Sequence, residues 1–536
     1  MTNYILILQS HLPLVRHPEH ERFLEERWLF EAISETYLPL LRVMDRLAAD
    51  SVPFRLAMSF SPTLSFMLQD PFLMDRYRQY LDRSLELAER ECQRTAGDAQ
   101  VAPLARMYRE RYRRDRLDLD ETYDGNILAG FAAYAKRGNL ELLASAATHA
   151  FLPHYRDLEE LVRVQIELGI ESHRRTFGEA PRGFWLPECG YYEGLDRFLA
   201  DSGVKYFISS AHGVLFGSPM PSNGTYAPVR TPSGVAAFPR DVYTADWVWS
   251  NDHGFPADPV YRDFYRDVGY DLPLEYVAPY IHDDGIRIPT GFKYHSITGD
   301  TDDKMFYQPE LAAERVRAQA AEYVQRLRGH AERLQTALSV DAPVVTSAFD
   351  TELFGHWWFE GPDWIEAVMR EFAAGDSGPI PTLPSNYLQL HGTHEAVEPS
   401  FSSWGSRGYA EVWLDGSNDW INRHVHAGIE RLADLVARFP DESGLKERAL
   451  NQAAREVLLA MASDWPFILN ANTVVPYAKR RVTEHLTNLA HVIEELSRQT
   501  MGTEWLTKLE KAHPILPFLD YRRFALGRVA SVRELI

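Results

Sequence analysis

Cysteine is scarce in this 536-residue sequence, which contains only Cys92 and Cys189. Two cysteines exclude a framework of several disulfides and a zinc centre built from cysteine ligands. They are typical of a protein from a reducing compartment, so we expect a cytoplasmic location. The opening residues, MTNYILILQSHLP, also lack the basic start and the small-residue cleavage site of a secretory signal peptide.

Long apolar runs and an excess of basic residues are missing as well. No stretch approaches the roughly 18 consecutive apolar residues of a membrane-spanning helix. The 56 Lys and Arg residues are outnumbered by 76 Asp and Glu residues, which gives a formal net charge of −20. Nucleic-acid-binding proteins normally present a basic face. We therefore expect neither a nucleic acid nor a membrane as a partner, whereas a neutral polymer needs no electrostatic steering.

The sequence contains neither of two widespread enzyme motifs. No glycine-rich loop marks a site for nucleotide phosphates, and no Gly-x-Ser-x-Gly elbow marks a serine hydrolase. The chain is nevertheless long, because 536 residues exceed one ordinary hydrophobic core. We expect two or three domains.

Short β-prone runs end repeatedly in a polar residue that can take part in chemistry. These end residues are His11, His149, Glu188, His212, Arg240 with Asp241, and Asp350. Helix-period segments separate the runs, and strands that alternate with helices predict a parallel sheet. Because functional residues at the C-terminal ends of strands converge on one face of a barrel, we predict an α/β fold of the barrel type. A doubly wound open sheet is the alternative, with its site at a single switch point.

Composition also predicts the domain organisation. Residues 1–400 carry the strand signals and are expected to form the catalytic barrel. Within them, residues 68–120 are charged and helix-periodic, which indicates a helical insertion. Residues 216–234 are rich in Pro, Gly and Ser, which indicates a loop over the site. Amphipathic helices dominate residues 401–536 and predict a C-terminal helical domain.

The stretch SAFDTELFGHWWFEGPDW, residues 347–364, combines carboxylates with many aromatic rings. Asp350 in this stretch and Glu188 in FWLPECGYY each follow a predicted strand among large apolar side chains, a setting that raises the pKa of a carboxyl group. Two carboxyl groups that flank one glycosidic bond are the usual catalytic groups of glycoside hydrolysis. Sugar rings stack on Trp and Tyr while their hydroxyls bind acids, His and Arg, so a carbohydrate ligand fits this composition.

The residues themselves leave several points open. Either acid can instead cap a helix or pair with an arginine, and the nearby Glu352, Glu360 and Asp363 are further candidates. Adjacent Trp357 and Trp358 point in different directions in a helix or a strand, so at most one of them faces a ligand. Tryptophan is usually highly buried, so half or more of the tryptophans in this region are expected in the core.

Histidines offer a different chemistry, a metal site of the kind used by barrels that remove acyl groups from sugars. Its candidate ligands are Asp350 with His11, His149, His154, His212 and His356. No HxxxH or HExxH spacing supports such a site. Hydrogen bonding to sugar hydroxyls, or a purely structural role, is the favoured interpretation of these histidines.

FWLPECGYY and AFDTELFGHWWFEGP together resemble the catalytic motifs of glycoside hydrolase family 57, a retaining family that acts on α-glucans. SDWPF at 463–467 resembles the helical domain of its branching-enzyme-like members. Three further stretches agree with the family: HLPLVRHPE at 11–19, GNLELLASAATHAFLP at 138–153 and SSWGSRGYAEVWL at 402–414. The resemblance implies an incomplete (β/α)7 TIM-like barrel with a helical insertion and a C-terminal α-helical domain.

The resemblance also implies roles for individual residues. Glu188 matches the nucleophile and Asp350 the general acid/base, with carboxyls about 5–5.5 Å apart. The positions that match the lining of the glucan site are His11, Trp28, His149, Arg240, Trp249, Trp404, Trp413 and Asp464. We add Trp357 as the ring of its pair that faces the ligand, and Tyr226 from the loop. The implied partner is α-1,4-glucan, as amylose, a glycogen-like polymer or maltooligosaccharides, with no metal and no organic cofactor.

The acceptor decides the activity that the resemblance implies. Transfer to a C6 hydroxyl makes α-1,6 branches, transfer to water is α-amylase activity, and disproportionation is 4-α-glucanotransferase activity. Branching members share a mobile loop with a tyrosine near its tip, whereas Tyr226 lies near the end of the short loop FGSPMPSNGTYAPV. His11-Leu12-Pro13 is shared with branching-type members. We predict a branching enzyme with hydrolytic side activity; a glycogen-binding protein without catalysis is the non-enzymatic alternative.

Overall fold

A nine-stranded sheet forms the centre of the computed structural model, which describes residues 2–250, 253–338, 340–375, 378–391 and 395–525. The strands are β1 (Asn3–Ser10), β2 (Leu56–Phe60), β3 (Leu140–Ser145), β4 (Gly183–Trp185), β5 (Tyr206–Ser209), β6 (Val229–Arg230), β7 (Ala236–Pro239), β8 (Val344–Asp350) and β9 (Ile380–Pro381).

Seven parallel strands follow one another around this sheet in the order β7-β5-β4-β3-β2-β1-β8. The short β6 is antiparallel to β7, and β9 pairs with the start of β1. No strand pairing joins β7 to β8 within the described residues, although the amide of Asp241 donates to the carbonyl of Thr346 at 2.7 Å across the gap. The sheet is therefore a curled, incomplete barrel, and the predicted fold is confirmed.

Helices cover the outside of the sheet and make up the C-terminal part of the described chain. They are α1 (Glu26–Ala32), α2 (Leu38–Ala49), α3 (Pro62–Met67), α4 (Pro71–Arg94), α5 (Val101–Leu117), α6 (Ile127–Lys136), α7 (Glu159–Phe177), α8 (Asp196–Asp201), α9 (Ala211–Leu215), α10 (Val242–Trp249), α11 (Val268–Asp271), α12 (Leu274–Val277), α13 (Pro309–Ala337), α14 (Gly361–Ala374), α15 (Pro384–His391), α16 (Asp419–Arg438), α17 (Gly444–Ala460), α18 (Asp464–Ala471), α19 (Val475–Arg498) and α20 (Thr503–Ala512). None of these helices combines the length and the apolar character needed to cross a bilayer.

The first strand shows why its sequence is a continuous apolar run. All eight residues of β1 are buried, because one face lines the barrel interior and helices cover the other. Ile5 and Ile7 belong to the cluster that fills the interior, whereas Tyr4, Leu6 and Leu8 join the larger core under the helices. The alternation of apolar and polar residues that a half-exposed strand would show is therefore absent from β1. Polar residues become possible only where the strand ends.

Glu456 on α17 is the polar centre of the C-terminal helices. Its Oε2 accepts hydrogen bonds from His485 Nδ1 at 2.8 Å and Asn488 Nδ2 at 3.1 Å. Its Oε1 accepts from His513 Nδ1 and Gln452 Nε2, both at 2.8 Å. The carboxylate is fully buried, and all its acceptor positions are in use. This one side chain therefore ties α17 to α19 and to the segment after α20.

Glu456→Ala is expected to destabilise the fold by about 3–5 kcal/mol, because it leaves two buried imidazoles and the buried amide of Gln452 without their acceptor. Urea denaturation gives the free energy of unfolding. Glu447→Ala on the same helix is the matched control. The Glu447 side chain is 40% exposed, and its one ion pair among the described residues is with Arg522, so its loss costs less than about 1 kcal/mol. Equal losses for the two variants would contradict the central role of Glu456.

Stability should also fall as the pH is lowered. Burial lowers the pKa of His485 to about 4, and, although burial opposes it, contact with His513 and His485 holds the pKa of Glu456 below its usual range. Both folded-state pKa values lie below those of the unfolded chain. The stabilisation is therefore present above the unfolded pKa values and is lost as the pH falls from about 6.5. Melting temperatures between pH 8 and 4 measure this loss.

Candidate active site

Glu188 lies in the tight turn Pro187–Cys189 that follows β4. Its backbone is left-handed, with φ 61° and ψ 21°, a conformation that costs a residue with a side chain about 1–2 kcal/mol. The amide of Trp404 donates to the Glu188 carbonyl at 2.8 Å and helps to hold the turn. Such strain persists only where the surroundings enforce it and is concentrated at functional sites.

The Glu188 carboxylate is oriented by donors from two distant segments. Trp404 Nε1 donates to Oε2 at 2.6 Å, and Ser463 Oγ donates to Oε1 at 2.7 Å. His149 Nδ1 lies 3.1 Å from Ser463 Oγ, and His149 Nε2 lies 2.9 Å from the side-chain amide nitrogen of Gln9. A neutral His149 satisfies both contacts, since it donates to the serine and accepts from the amide. Burial accordingly lowers the pKa of His149 well below its usual value.

Asp350 is the last residue of β8 and lies opposite Gln9 of β1. Arg240, which follows β7, is next to it and donates from Nε to the carbonyl of Ala348 at 2.8 Å. Within the described residues, no side chain donates a hydrogen bond to the Asp350 carboxyl. Its ionised form is therefore favoured only by the nearby charges of Arg240 and His11.

The two carboxyls titrate in the same range. Burial raises the pKa of Glu188 to about 7, against the hydrogen bonds from Ser463 and Trp404, and the charge of Asp350 adds to the rise. Burial raises the pKa of Asp350 to about 6. The charge of Asp350 therefore disfavours ionisation of Glu188 at the same time. Of the two groups, Glu188 is the one that accepts hydrogen bonds from described side chains, and these favour its ionised form.

His11 connects the barrel to the C-terminal helices. Its Nδ1 contacts Ser61 Oγ at 2.8 Å, and its Nε2 contacts Asp464 Oδ2 on α18 at 2.9 Å. The ring stacks on His149 with centroids 3.8 Å apart. Although burial opposes it, the charge of Asp464 raises the pKa of His11. His11, His149 and Asp464 therefore lie together beside Glu188.

Two of the predicted tryptophans pack against other aromatic rings. Trp413 is 1% exposed and stacks on Phe151 at 5.0 Å. Trp28 is partly buried and meets the ring of Tyr477 edge-on at 5.5 Å. Trp413 does not present an open ring to a ligand, which corrects the expectation that it binds sugar. Its burial instead serves to pack the segment that carries Trp404.

The adjacent tryptophans Trp357 and Trp358 point in opposite directions. Trp358 is 1% exposed and packs on Trp364 at 5.4 Å. Trp357 is 54% exposed and stacks on Phe264 at 4.5 Å. Trp249 lies at the end of α10 and is 42% exposed; no hydrogen bond or ring contact among the described residues joins it to the carboxyls.

Tyr226 lies far from the carboxyls. Its carbonyl accepts from the amide of Val344 at 2.8 Å, and its ring contacts His330 at 5.1 Å. Val344 begins β8 and Asp350 ends it, so Tyr226 lies about 20 Å from the site along the strand. The chain after residue 217 pairs with residues 395–398 and runs to the opposite end of the barrel. The prediction that this segment covers the site with Tyr226 is therefore wrong.

The histidines proposed as metal ligands have separate partners. His212 Nε2 contacts the carbonyl of Gly408 at 2.7 Å, and His356 Nδ1 contacts Glu35 Oε2 at 2.7 Å. His154 meets Phe151 edge-on at 4.7 Å. In the part of the chain that the structure describes, the one group of His, Cys and acids spaced for a metal is Glu456, His485 and His513. The five histidines therefore do not assemble around Asp350.

A separate cleft of about 80 Å³ lies between α1, α4 and residues 280–290. It is lined by Phe23, Phe30, Arg76, Tyr80, Arg83 and Ile288, among others, and by none of the predicted site residues. If the shape of the surface were the only criterion, this cleft would be chosen as the functional site. The buried carboxyls of Glu188 and Asp350, and the two hydrogen bonds to Glu188, point instead to the C-terminal ends of β4 and β8.

Three residues near the carboxyls are not among the predicted site residues, although Glu352 was one of the nearby acids left open as candidates. Ser463 immediately precedes Asp464 within SDWPF, and its position in that motif was a usable signal. Glu352 lies two residues after Asp350, and its Oε1 accepts from the hydroxyl of Tyr37. Tyr37 carries no recognisable motif, because it reaches the site only through the fold.

Comparison with known proteins decides the family. The sequence pattern of glycosyl hydrolase family 57 matches residues 5–398, which include both Glu188 and Asp350. The chain belongs to glycosyl hydrolase family 57. A second pattern, that of the C-terminal part of 1,4-alpha-glucan branching enzyme, matches residues 424–524.

Relatives of this family 57 chain carry two different activities. A 1,4-alpha-glucan branching enzyme from Thermococcus kodakarensis is 30% identical, over 96% of this chain and 78% of its own length. The crystal structure of alpha-amylase AmyC from Thermotoga maritima is similar with a TM-score of 0.91 and 39% identity, over 98% of this chain and 99% of that chain. A GH57-type branching enzyme from Pyrococcus horikoshii is similar with a TM-score of 0.86 and 29% identity, over 98% and 97% of the two chains.

Trp404→Phe is expected to raise the pKa of Glu188 by about one unit, because it removes a donor to the ionised carboxylate. Infrared difference spectra of the carboxyl bands against pH measure the shift, with Glu188→Gln to assign the band. Trp413→Phe is the matched control, since Trp413 stacks on Phe151 and makes no described contact with Glu188. An unmoved band in the Trp404 variant would show that the indole does not stabilise the charge.

Proposed function

We propose that the chain is a retaining 1,4-α-glucan branching enzyme with hydrolytic side activity. One observation carries the proposal. The segment that matches the branching-enzyme C-terminal pattern, residues 424–524, contributes Ser463 to Glu188 and Asp464 to His11. The part of the chain typical of branching enzymes is therefore built into the reaction centre. The two free cysteines, Cys92 and Cys189, fit a cytoplasmic enzyme.

In the first step, the Glu188 carboxylate attacks the anomeric carbon of an α-1,4-glucan. Asp350 donates its proton to the glycosidic oxygen, the C1–O4 bond breaks, and a covalent glycosyl-enzyme forms. Trp404 and Ser463 hold the attacking carboxylate ionised and fix its direction. Asp350 has the proton to give because it is buried without a hydrogen-bond donor.

In the second step, the ionised Asp350 takes the proton of a C6 hydroxyl from another glucan chain. The hydroxyl oxygen attacks the anomeric carbon, and the bond to Glu188 breaks with its electrons returning to the carboxylate. Arg240 and His11 favour the ionised Asp350 that this step needs. The product is an α-1,6 branch, and both carboxyls regain their starting protonation.

α-Amylase activity is the second candidate, and two observations favour it. The chain is 39% identical to the alpha-amylase AmyC over nearly its whole length. The segment carrying Tyr226 runs to the far end of β8, so it does not cover the carboxyls and exclude water. In that case water takes the place of the C6 hydroxyl in the second step.

Incubation with amylose distinguishes the candidates. Proton NMR resolves α-1,6 from α-1,4 linkages, and a reducing-sugar assay counts hydrolysed bonds. We expect new α-1,6 linkages to exceed new reducing ends. Reducing ends without α-1,6 linkages would establish an α-amylase. Redistribution of maltooligosaccharide lengths without branches would establish a 4-α-glucanotransferase.

Glu188→Gln and Asp350→Asn should each lower the rate of α-1,4 bond cleavage at least about a thousandfold, because they remove the attacking carboxylate or the proton donor. Initial rates on amylose measure the loss, and unchanged melting temperatures serve as the folding control. A chelator should leave the wild-type rate unaltered. Full activity of either variant contradicts the mechanism, and loss of activity on chelation supports a metal-dependent one.

A further inference from the structure

Three consecutive hydrogen bonds connect the first strand to the Glu188 carboxylate and form what we call the hydrogen-bond chain. Gln9 Nε2 lies 2.9 Å from His149 Nε2 at its start. His149 Nδ1 lies 3.1 Å from Ser463 Oγ, and Ser463 Oγ lies 2.7 Å from Glu188 Oε1. The proposed reaction gives Gln9 no bond to make and no proton to transfer. Its contact with His149 nevertheless connects it to the attacking carboxylate.

Gln9 is held inside the barrel by the strand that carries it. Side chains two residues apart on a strand share a face, so Gln9 is on the same face of β1 as Ile5 and Ile7, which fill the barrel interior. It is 3% exposed and is in register with Asp350 of β8. A polar side chain buried to this degree needs hydrogen-bond partners, and its amide nitrogen has the ring of His149 as one.

The backbone holds the middle of the hydrogen-bond chain together. His149 has a left-handed backbone, with φ 53°, in the loop after β3. Its carbonyl accepts from the amide of Ser463 at 3.2 Å, and Ala150 forms a β-bridge with Ala462. The His149 ring and the Ser463 hydroxyl are therefore kept side by side by main-chain contacts as well as by their own hydrogen bond.

The His149 ring is neutral and so carries a proton on only one of its two nitrogens. It is 2% exposed, and burial lowers its pKa well below the usual value. The ring of His11 stacks on it with centroids 3.8 Å apart, and a charge on His11 opposes a second charge on His149. The hydrogen bonds that the ring makes then decide which nitrogen carries the proton.

The side-chain amide of Gln9 selects between the two neutral forms of His149. The amide nitrogen can only donate, so it needs an acceptor at His149 Nε2 and leaves the ring proton on Nδ1. His149 then donates to Ser463 Oγ, and the single hydroxyl proton is left for Glu188. With the ring proton on Nε2 instead, Nδ1 would accept that hydroxyl proton and Glu188 would lose a donor. The reverse direction suits a protonated Glu188, which can donate to the hydroxyl.

We propose that Gln9 is a positioning residue, whose amide keeps the proton of His149 on Nδ1 and thereby keeps the hydroxyl of Ser463 directed at the attacking carboxylate. The inference rests on the proposed retaining mechanism, in which Glu188 attacks in its ionised form. The other titratable groups around the hydrogen-bond chain are His11 after β1, Cys189 beside Glu188, Arg240 after β7, Asp350 at the end of β8 and Asp464 on α18. All of them remain in the variants described next.

Gln9→Met should raise the pKa of Glu188 by about one unit, because the direction that favours the carboxylate is no longer selected and a protonated Glu188 can use the reverse direction. Methionine is similar to glutamine in length but has no N–H donor. Infrared difference spectra of the carboxyl bands against pH give the midpoint, with Glu188→Gln to assign the band. On the acidic side of the midpoint, the rate of α-1,4 bond cleavage should fall about tenfold, because less Glu188 is ionised.

Ser463→Ala separates an effect through the hydrogen-bond chain from an effect on packing. It removes the donor itself and should also raise the pKa of Glu188 by about one unit. Gln9→Met combined with Ser463→Ala should cause no further shift, because the amide acts only through the hydroxyl. Independent effects on packing would add instead, so a larger shift in the double variant contradicts the inference.

Gln165→Met on α7 is the matched control, because it removes a second buried amide near the same loop. Gln165 is 0% exposed, and its amide nitrogen donates to Thr148 Oγ1 at 3.0 Å, in the loop after β3. Its contacts do not lead to the Glu188 carboxylate, so the Glu188 midpoint should stay in place. A shift equal to that of Gln9→Met would show that loosening this loop is sufficient, which contradicts a specific role for Gln9.

The wild-type protein tests the inference without a substitution in the hydrogen-bond chain, and this measurement decides it if Gln9→Met does not fold. Nitrogen NMR of histidine-labelled protein distinguishes ring nitrogens with and without a proton, and His149→Gln assigns the signals. At a pH where Glu188 is ionised, we expect the proton on His149 Nδ1. A proton on Nε2 would overturn the inference, as would a Glu188 midpoint that Gln9→Met leaves unmoved. The spectra need no substrate, so a failure to cleave α-glucan would overturn the proposed function separately.

Discussion

The two hydrogen bonds that Glu188 accepts hold the rest of the site in place. Trp404 and Ser463 lie more than 200 residues away in sequence, yet both donate to this one carboxylate. A buried carboxyl without donors would take up a proton and lose its nucleophilicity. Packing of the barrel with the segment that carries Trp404 and with the C-terminal helices therefore favours the ionised form of Glu188. The ionisation of Glu188 and the packing of these parts of the chain thus depend on the same hydrogen bonds.

Local contacts, rather than the charge of the whole chain, control this site. The chain carries a net charge of −20, which neither attracts nor repels a neutral glucan. Burial raises the pKa of Glu188 and of Glu352 to about 7 and that of Asp350 to about 6. What distinguishes the carboxyls is the set of donors and charges around each one. The proposed retaining mechanism needs one ionised and one protonated carboxyl, and the two donors to Glu188 are consistent with Glu188 as the ionised one.

The strand ends and the sequence motifs could be predicted because each depends only on residues that are close together in the sequence. Glu188 and Asp350 follow apolar runs, and the barrel brings such ends to one face. Tyr37 was not predictable, since neither helical periodicity nor composition reveals a π-helical turn that meets a residue 315 positions away. The composition of residues 216–234 indicated a loop but not which end of the barrel it approaches. Trp413 matched a family position, yet burial against Phe151 decides what its ring can touch.

On the proposed mechanism, the balance between branching and hydrolysis depends on the side of the site that receives the acceptor. Asp350 deprotonates that acceptor, so the segment that follows Asp350 borders its path. This segment contacts the π-helical turn Ile33–Tyr37 through His356 and ends in Trp357, whose exposed ring stacks on Phe264 at 4.5 Å. An exposed indole that stacks on a neighbouring ring offers a flat apolar face to a sugar ring and nothing comparable to water. Acceptor binding at a rigid surface can therefore favour transfer without a lid, which is consistent with a Tyr226 segment directed to the opposite end of the barrel.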